Sequence, residues 1–459
     1  MEFEVIGKRK PRYDGMAHVT GETKFVDDII VPNTMVVKAL RSPFAKGKIR
    51  KLDVYKAECL SGVAGIITYK DVPNNSYGFI PDQPVLVEEN IRYKGEPIAA
   101  VAAVDEDTAC EAIDKIEVLI EEEEAVTDPR EAMKPDAPKV RPEGNIFIFD
   151  NNVPYRRIIF GDVVKGLKDA DYIVEDTYFH SDLEHTSMET QVSLAVPDAS
   201  GRLSLYSVSQ SVPIFLDQLA SILQLGNDKS KSECVLQWQS RIKSSCKGPV
   251  GLSHLRMFDG IVGGAFGGKN EMHADPITCL LALKTGQPCK WRWTREEELL
   301  YSTHRGGWFI TIKDGVKKDG HIVTREVTSI RDAGAYTGTN PYSTNKHAYY
   351  ASGPYNIPNI SIKSYCVFTN RPPSSSMRGF AVTPSNFAIE IHMNKVAEKL
   401  GIDPWKVRFI NALHNGDQLP TRQVLENVSI IETMQTLAQM ADYKLPEEFK
   451  KMTSSRREE

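Results

Sequence analysis

The run Gly263-Gly264-Ala265-Phe266-Gly267-Gly268-Lys269 places four glycines around one aromatic side chain. Lacking Cβ atoms, such a loop can adopt positive φ and bring backbone N–H groups against a ligand. Gly263, Gly268 and Lys269 fit the phosphate-loop pattern G-x-x-x-x-G-K, but Asn270 stands where a Ser or Thr would hold magnesium. A central Phe suits a loop lying against a flat cofactor or substrate better than one wrapping phosphates. A glycine-rich turn without a ligand is the plain alternative. His180, Glu184 and His185 have the spacing H-x-x-x-E-H, which matches neither H-E-x-x-H nor H-x-x-E-H and argues against zinc hydrolysis.

The elements that must position these residues are legible in outline. A chain of 459 residues is too long for one core and is expected to form two or three domains. A net charge of −5 gives no electrostatic case for nucleic acid, and no apolar run reaches membrane-spanning length. The N-terminus lacks the charge and apolar pattern of a signal peptide. Cysteines 59, 110, 234, 246, 279, 289 and 366 are scattered, odd in number and never in C-x-x-C spacing. They argue against a disulfide framework and for a reducing, cytoplasmic setting, and they offer no recognisable iron–sulfur site.

Residues 14–125 read as one α/β unit. Pro97 to Val104 is an apolar run suited to a buried strand, Glu106 to Lys115 a helix, and Lys115 to Ile120 an alternating strand ending in the solvated run Glu121–Glu124. Pro129, Pro135, Pro138 and Pro142 mark 126–145 as an extended linker. Residues 309–330 predict a hairpin turning at Asp319-Gly320. Residues 387–400 predict a helix ending at Gly401, and Asp403-Pro404 starts another. The stretch 226–260 shows no clear periodicity and is expected to be a poorly ordered surface insertion or a frameshift lesion.

An ordered series of motifs resembles the xanthine dehydrogenase and aldehyde oxidase family of molybdenum hydroxylases. It runs through Asp14-Gly15, Thr20-Gly21-Glu22, Asp27-Asp28, Gly161-Asp162-Val163, Glu184-His185, Met188-Glu189 and the glycine loop. It continues through Asp332 to Tyr336, Gly353-Pro354-Tyr355 and Met377-Arg378-Gly379-Phe380, so the similarity spans about residue 4 to about 436. The resemblance implies an α/β (α+β) fold: a hammerhead domain at 14–125, the linker 126–145, a first molybdopterin-binding domain at 146–370, and the start of a second, incomplete one at 371–459. The last residues form a polar tail. The chain is similar to the large molybdopterin subunits that some relatives, of the nicotinate dehydrogenase type, make as divided polypeptides.

The implied activity is hydroxylation of an N-heteroaromatic (purine or nicotinate type) or an aldehyde, with water as oxygen source. The implied cofactor is molybdenum on molybdopterin or its cytosine dinucleotide form, with no direct side-chain ligand to the metal. By the resemblance, Gln210, Gly264, Ala265, Phe266, Gly267 and Arg378 bind the cofactor, and Phe380, Asn270 and Lys346 face the substrate. Implied partners are an iron–sulfur subunit, an FAD subunit and a C-terminal molybdopterin subunit, in a hetero-oligomer.

Three departures qualify the resemblance. Asn270 replaces a glutamate of the purine-oxidising relatives, Lys346 replaces an arginine, and Ala381 to Ser385 replaces a Gly-x-Pro-Gln. The family's general-base glutamate, in Gly-x-Gly-Glu, is absent from the sequence, so no catalytic residue is assigned. A divided subunit is the expectation; a catalytically inactive remnant or assembly protein is the alternative.

Overall fold

The computed structural model describes residues 3–224 and 254–455. Most of the aperiodic stretch 226–260, through residue 253, lies outside the described residues, as does the polar tail beyond 455. The described part of that stretch includes the strand Leu255–Asp259. The chain forms two compact units, residues 1–123 with 185–302 and residues 124–184 with 303–459.

In the first unit a seven-stranded sheet has the spatial order Leu255–Asp259, Leu203–Ser207, Val192–Pro197, Cys289–Arg292, Met35–Arg41, Pro97–Ala103, Val63–Thr68. The strand expected from the apolar run, Pro97–Ala103, is buried on both sides. Ala100 and Ala102 join the core beneath the helices Val212–Leu223 and Asp275–Thr285, while Ala99, Val101 and Ala103 pack with Ala109 and Ala112 of the helix Glu106–Lys115. Burial on both faces is why this strand is apolar without alternation. Glu117–Glu122 does alternate and joins a small second sheet with Gly47–Asp53 and Asn90–Ile91. The large sheet unites strands from 14–125 with strands from 146–370, so the compact unit does not follow the sequence boundary.

The second unit holds a five-stranded sheet: Arg156–Phe160, Ile360–Phe368, Ile322–Gly334, Trp308–Val316, Tyr172–His180. The expected hairpin is its centre, turning through Gly320 at φ 103°. Val382–Leu400 is a helix that begins earlier than its periodicity suggests and ends at Gly401 with φ 66°. It buries Ala388, Ile389, Met393 and Val396 against Ile310, Ile312 and Ile362 of the sheet. Asp403 caps the next helix, Pro404–Asn411, by accepting the N–H groups of Trp405 and Lys406. The stretch 126–145 is less extended than its prolines suggest. It contains the short helix Pro129–Ala132, with Pro at its start and Asp128 as cap, and Val126, Ala132 and Val140 pack under Val367 and Phe368.

At the heart of this unit Arg325 makes a two-pronged pair with Asp314 (Nε–Oδ1 2.8 Å, Nη2–Oδ2 2.7 Å), and both side chains are fully buried. His392 lies 3.5 Å from the same carboxylate and 2.9 Å from the Tyr178 hydroxyl. The cysteines at 59, 110, 279, 289 and 366 are free thiols. No helix among the described residues is long and apolar enough to cross a membrane.

Candidate functional site

In the first unit the glycine loop follows the strand Leu255–Asp259 and is tied down from both ends. Gly264, Phe266 and Gly267 all have positive φ (102°, 55°, 109°), so glycine is favoured at two of these three and Phe266 is held in a conformation its side chain disfavours. Gln210 is the tie on one side. Its Oε1 accepts the N–H groups of Gly267 (3.0 Å) and Lys269 (3.3 Å), while its own N–H donates to the Lys269 carbonyl (2.9 Å). Two backbone donors fix the amide orientation, so the –NH2 of this exposed residue faces away from the loop.

Glu189 is the tie on the other side. Its Oε2 accepts from Gly263 N–H (2.7 Å) and pairs with Lys269 Nζ (3.0 Å), whose side chain is 1% exposed. Lys269 also donates to the Glu189 carbonyl (3.0 Å). Burial pushes the Lys269 pKa down, and Glu189 opposes the shift. Lys269 is therefore a clip inside the loop rather than a free phosphate ligand. The N–H groups of Gly263, Gly267, Gly268, Lys269 and Asn270 are all spent within the chain, whereas those of Gly264, Ala265 and Phe266 have no partner among the described residues. Phe266 is half exposed and Asn270 half buried at the loop's end.

In the second unit Gly379, Phe380 and Ala381 have consecutive positive φ values of 95°, 47° and 74°. This strained turn is held by hydrogen bonds: Phe380 N–H to Met377 O (2.6 Å), and Arg305 Nη2 and Thr383 Oγ1 to Arg378 O (2.6 and 3.1 Å). A Cβ at Gly379 would lie 2.3 Å from Thr383 Oγ1. Lys346, on the helix Asn340–Tyr350, places Nζ 5.6 Å from the centre of the Phe380 ring, within cation–π range. The Arg378 side chain is exposed. Beneath the turn His347 is fully buried against Ser385 Oγ (2.6 Å), and burial holds its pKa down to about 3, so it is a neutral packing group.

The candidates thus fall into two groups, Gln210 with 264–267 and Asn270 in one unit, and Lys346 with Arg378 and Phe380 in the other. Two holding residues escaped the sequence reading. Glu189 was visible only as part of a motif, with no local sign that it would bond Gly263 and Lys269, and Arg305 had no signal at all, because its role is to hold a distant carbonyl. No group of three or more His, Cys, Asp or Glu among the described residues is placed to hold a metal ion.

Gly268 tests how tightly the loop is seated. A Cβ there would lie 2.7 Å from Nδ1 and 2.9 Å from Cγ of His185, whose ring is 7% exposed and has little room to yield. Gly268→Ala is expected to cost about 1–3 kcal/mol, as overpacking does, read as a lower melting temperature, with Gly15→Ala, which is likewise outside the left-handed region but meets only Arg12 Cβ at 3.5 Å, as the control. A Gly268→Ala protein as stable as the parent would mean the ring and loop are not packed together.

The family model for the molybdopterin cofactor-binding domain matches residues 148–235 and 230–412, and that for the aldehyde oxidase and xanthine dehydrogenase a/b hammerhead domain matches 20–124. A probable xanthine dehydrogenase subunit of Bacillus subtilis is 35% identical over 402 residues, covering 86% of this chain and 49% of that protein. The nicotinate dehydrogenase large molybdopterin subunit of Eubacterium barkeri is 31% identical over 443 residues, covering 96% of this chain and 97% of that one. Among solved structures, the aldehyde oxidoreductase from Desulfovibrio gigas superposes with a TM-score of 0.83 at 27% identity, over 94% of this chain and 46% of that one. The chain therefore spans about half the length of several relatives and nearly all of another. Its two matched domains, and its similarity to the Eubacterium barkeri protein along nearly the whole of both chains, mean that it belongs to the xanthine dehydrogenase and aldehyde oxidase family of molybdopterin-binding oxidoreductases.

Proposed function

We propose that this chain is the part of a cytoplasmic molybdenum hydroxylase that carries the glycine loop, acting on a planar N-heteroaromatic of the purine or nicotinate type or on an aldehyde. The observation that carries the reading is the locked Gln210 amide. With its oxygen consumed by Gly267 and Lys269, it can only donate outward, and beside it the N–H groups of Gly264, Ala265 and Phe266 have no partner among the described residues. These donors fit the oxygen-rich molybdenum–pterin group, in its plain or cytosine dinucleotide form, and any side chain at Gly264 would sit 3.3 Å from Ser187 Cβ in a left-handed conformation. When bound, that group supplies the two-electron oxidation and the activation of water.

The chain's own residues bind and orient. Gln210 and the loop hold the cofactor by hydrogen bonds, and Arg378 offers a cation to its sulfur-bearing edge. Phe380 stacks on the flat substrate, with Lys346 beside the ring and Asn270 as a further polar contact. Electrons leave through iron–sulfur and FAD partners, and a C-terminal molybdopterin subunit completes the enzyme; the similarity to a protein named as a large molybdopterin subunit supports the divided arrangement.

The test is elemental and pterin analysis of the chain purified natively with its co-purifying polypeptides. Molybdenum near one per chain is expected. Phe380→Ala should raise KM for a heteroaromatic substrate by about tenfold, in line with ~0.5–1.5 kcal/mol for an aromatic pair, while leaving the molybdenum content unchanged. Protein made alongside its neighbours yet free of both molybdenum and pterin would refute the reading.

A further inference from the structure

Arg305 stands on a firm mount in the second unit. Its N–H donates to Leu183 O (2.9 Å), its carbonyl accepts Leu183 N–H (3.1 Å), and its strand His304–Arg305 pairs with Ser374–Ser375. From there Nη2 reaches Arg378 O at 2.6 Å. That carbonyl opens the turn in which Gly379, Phe380 and Ala381 all have positive φ. Two of these three residues carry a Cβ, which crowds the backbone in that conformation.

Stability alone does not account for a guanidinium in this place. Arg305 is 6% exposed, no carboxylate among the described residues pairs with it, and burial lowers its pKa. Its Nε is buried with no hydrogen-bond partner among the described residues. A buried charge is unfavourable unless it is paired. The carbonyl it grips already accepts from Thr383 Oγ1 (3.1 Å), so a neutral donor serves that oxygen. Strain that the surroundings over-determine gathers at functional sites.

The far side of the turn is anchored too. Ser385 Oγ donates to Ala381 O (2.9 Å) and lies 2.6 Å from Nδ1 of His347, next in sequence to Lys346 on the helix Asn340–Tyr350. Phe380 therefore sits between two held carbonyls, those of Arg378 and Ala381. The backbone between them sets the direction of its ring, beside which Lys346 lies.

We propose that Arg305 is a positioning residue: by gripping the Arg378 carbonyl it keeps the turn in its strained form and holds the Phe380 ring where it can stack on the substrate. The inference rests on the role proposed above for Phe380. Arg305 acts through the backbone and not on the substrate. Without it the turn relaxes toward negative φ and the ring loses its fixed direction.

The test has a structural arm and a kinetic arm. In the full chain labelled with 4-fluorophenylalanine, one 19F signal among the 17 phenylalanines vanishes in Phe380→Leu and reports the ring. Arg305→Met is expected to shift or broaden that signal while the melting temperature holds or rises, because an unpaired buried charge has been removed. Arg305→Lys should restore the signal. Thr383→Val, at an exposed position, should move it the same way by a smaller amount. In the natively assembled enzyme, with nicotinate or hypoxanthine as the probe, Arg305→Met should raise KM by about tenfold, as expected of Phe380→Ala, with kcat and molybdenum content little changed. Added to Phe380→Ala it should raise KM by less than about twofold more, since both act through one ring. A Phe380 signal unmoved in Arg305→Met overturns the proposal, and so do KM effects that multiply in the double variant. A signal that moves while Phe380→Ala leaves KM unchanged would instead remove the substrate role of Phe380 and leave Arg305 only as the anchor of a turn.

Discussion

Asp314→Asn is expected to lower the melting temperature by roughly 10 °C, because it strands the fully buried Arg325 guanidinium. Removing one member of a buried ion pair costs about 3–5 kcal/mol, and each kcal/mol shifts the midpoint by about 2–4 °C in a unit of this size. The pH dependence separates this cause from a mere loss of packing. Burial raises the Asp314 pKa, but Arg325, and then His392, lower it further, to about 2. A carboxyl whose folded pKa lies below its unfolded value of about 3.9 contributes stability that is fully present above about pH 4 and disappears as the pH falls toward 2. The stability gap between the parent and Asp314→Asn should therefore be widest near neutrality and close across that window. Arg325→Met combined with Asp314→Leu should recover most of the loss, since apolar replacement of both partners removes the stranded charge. Thermal melts of these proteins from pH 2 to 7 measure this; a gap unchanged with pH would show that the pair is not what Asn disrupts.

The same pair shows where sequence reading stops. Asp314 and Arg325 lie on neighbouring strands of the expected hairpin, and their register, Asp314 opposite Arg325, is a consequence of the turn at Gly320. The hairpin was legible from two strand-like runs around an Asp-Gly turn; the burial of two charges inside it was not, because nothing local distinguishes them from exposed strand residues. Likewise the helix Glu106–Lys115 was legible in the sequence, although the Asp105 cap that starts it was not read there, and Pro97–Ala103 was legible from its unbroken apolar run. The sheet that joins strands from 14–125 to strands from 146–370 was not, since strand order is set by long-range pairing that leaves no periodic trace. At the candidate site the glycines announced a loop, and a resemblance supplied roles for Gln210, Arg378 and Phe380. Neither revealed that Lys269 turns inward to Glu189, nor that Gln210 spends its oxygen on the loop and keeps only its donors.

Substrate oxidation by this chain alone is expected to fall short of the complete enzyme by about 10²–10⁴-fold, the typical contribution of a positioned general base. The 459 residues contain no Gly-x-Gly-Glu, and the carboxylates nearest the glycine loop are already engaged. Glu189 is committed to Lys269 and Gly263, and Glu298 accepts the N–H of Gln191 deep in the same unit. Glu189 Oε1 makes no hydrogen bond among the described residues, but it is buried and its carboxylate charge holds Lys269 and Gly263, so taking up a proton there would weaken the clip. Adding a polypeptide that carries Gly-x-Gly-Glu should restore substrate-dependent dye reduction, and Gln in place of its glutamate should restore assembly and molybdenum content but not turnover. The last comparison separates a missing base from a missing fold. Turnover of a purine, nicotinate or aldehyde by the chain alone at the rate of the complete enzyme would place the base among its own residues and make Glu189 the first to substitute.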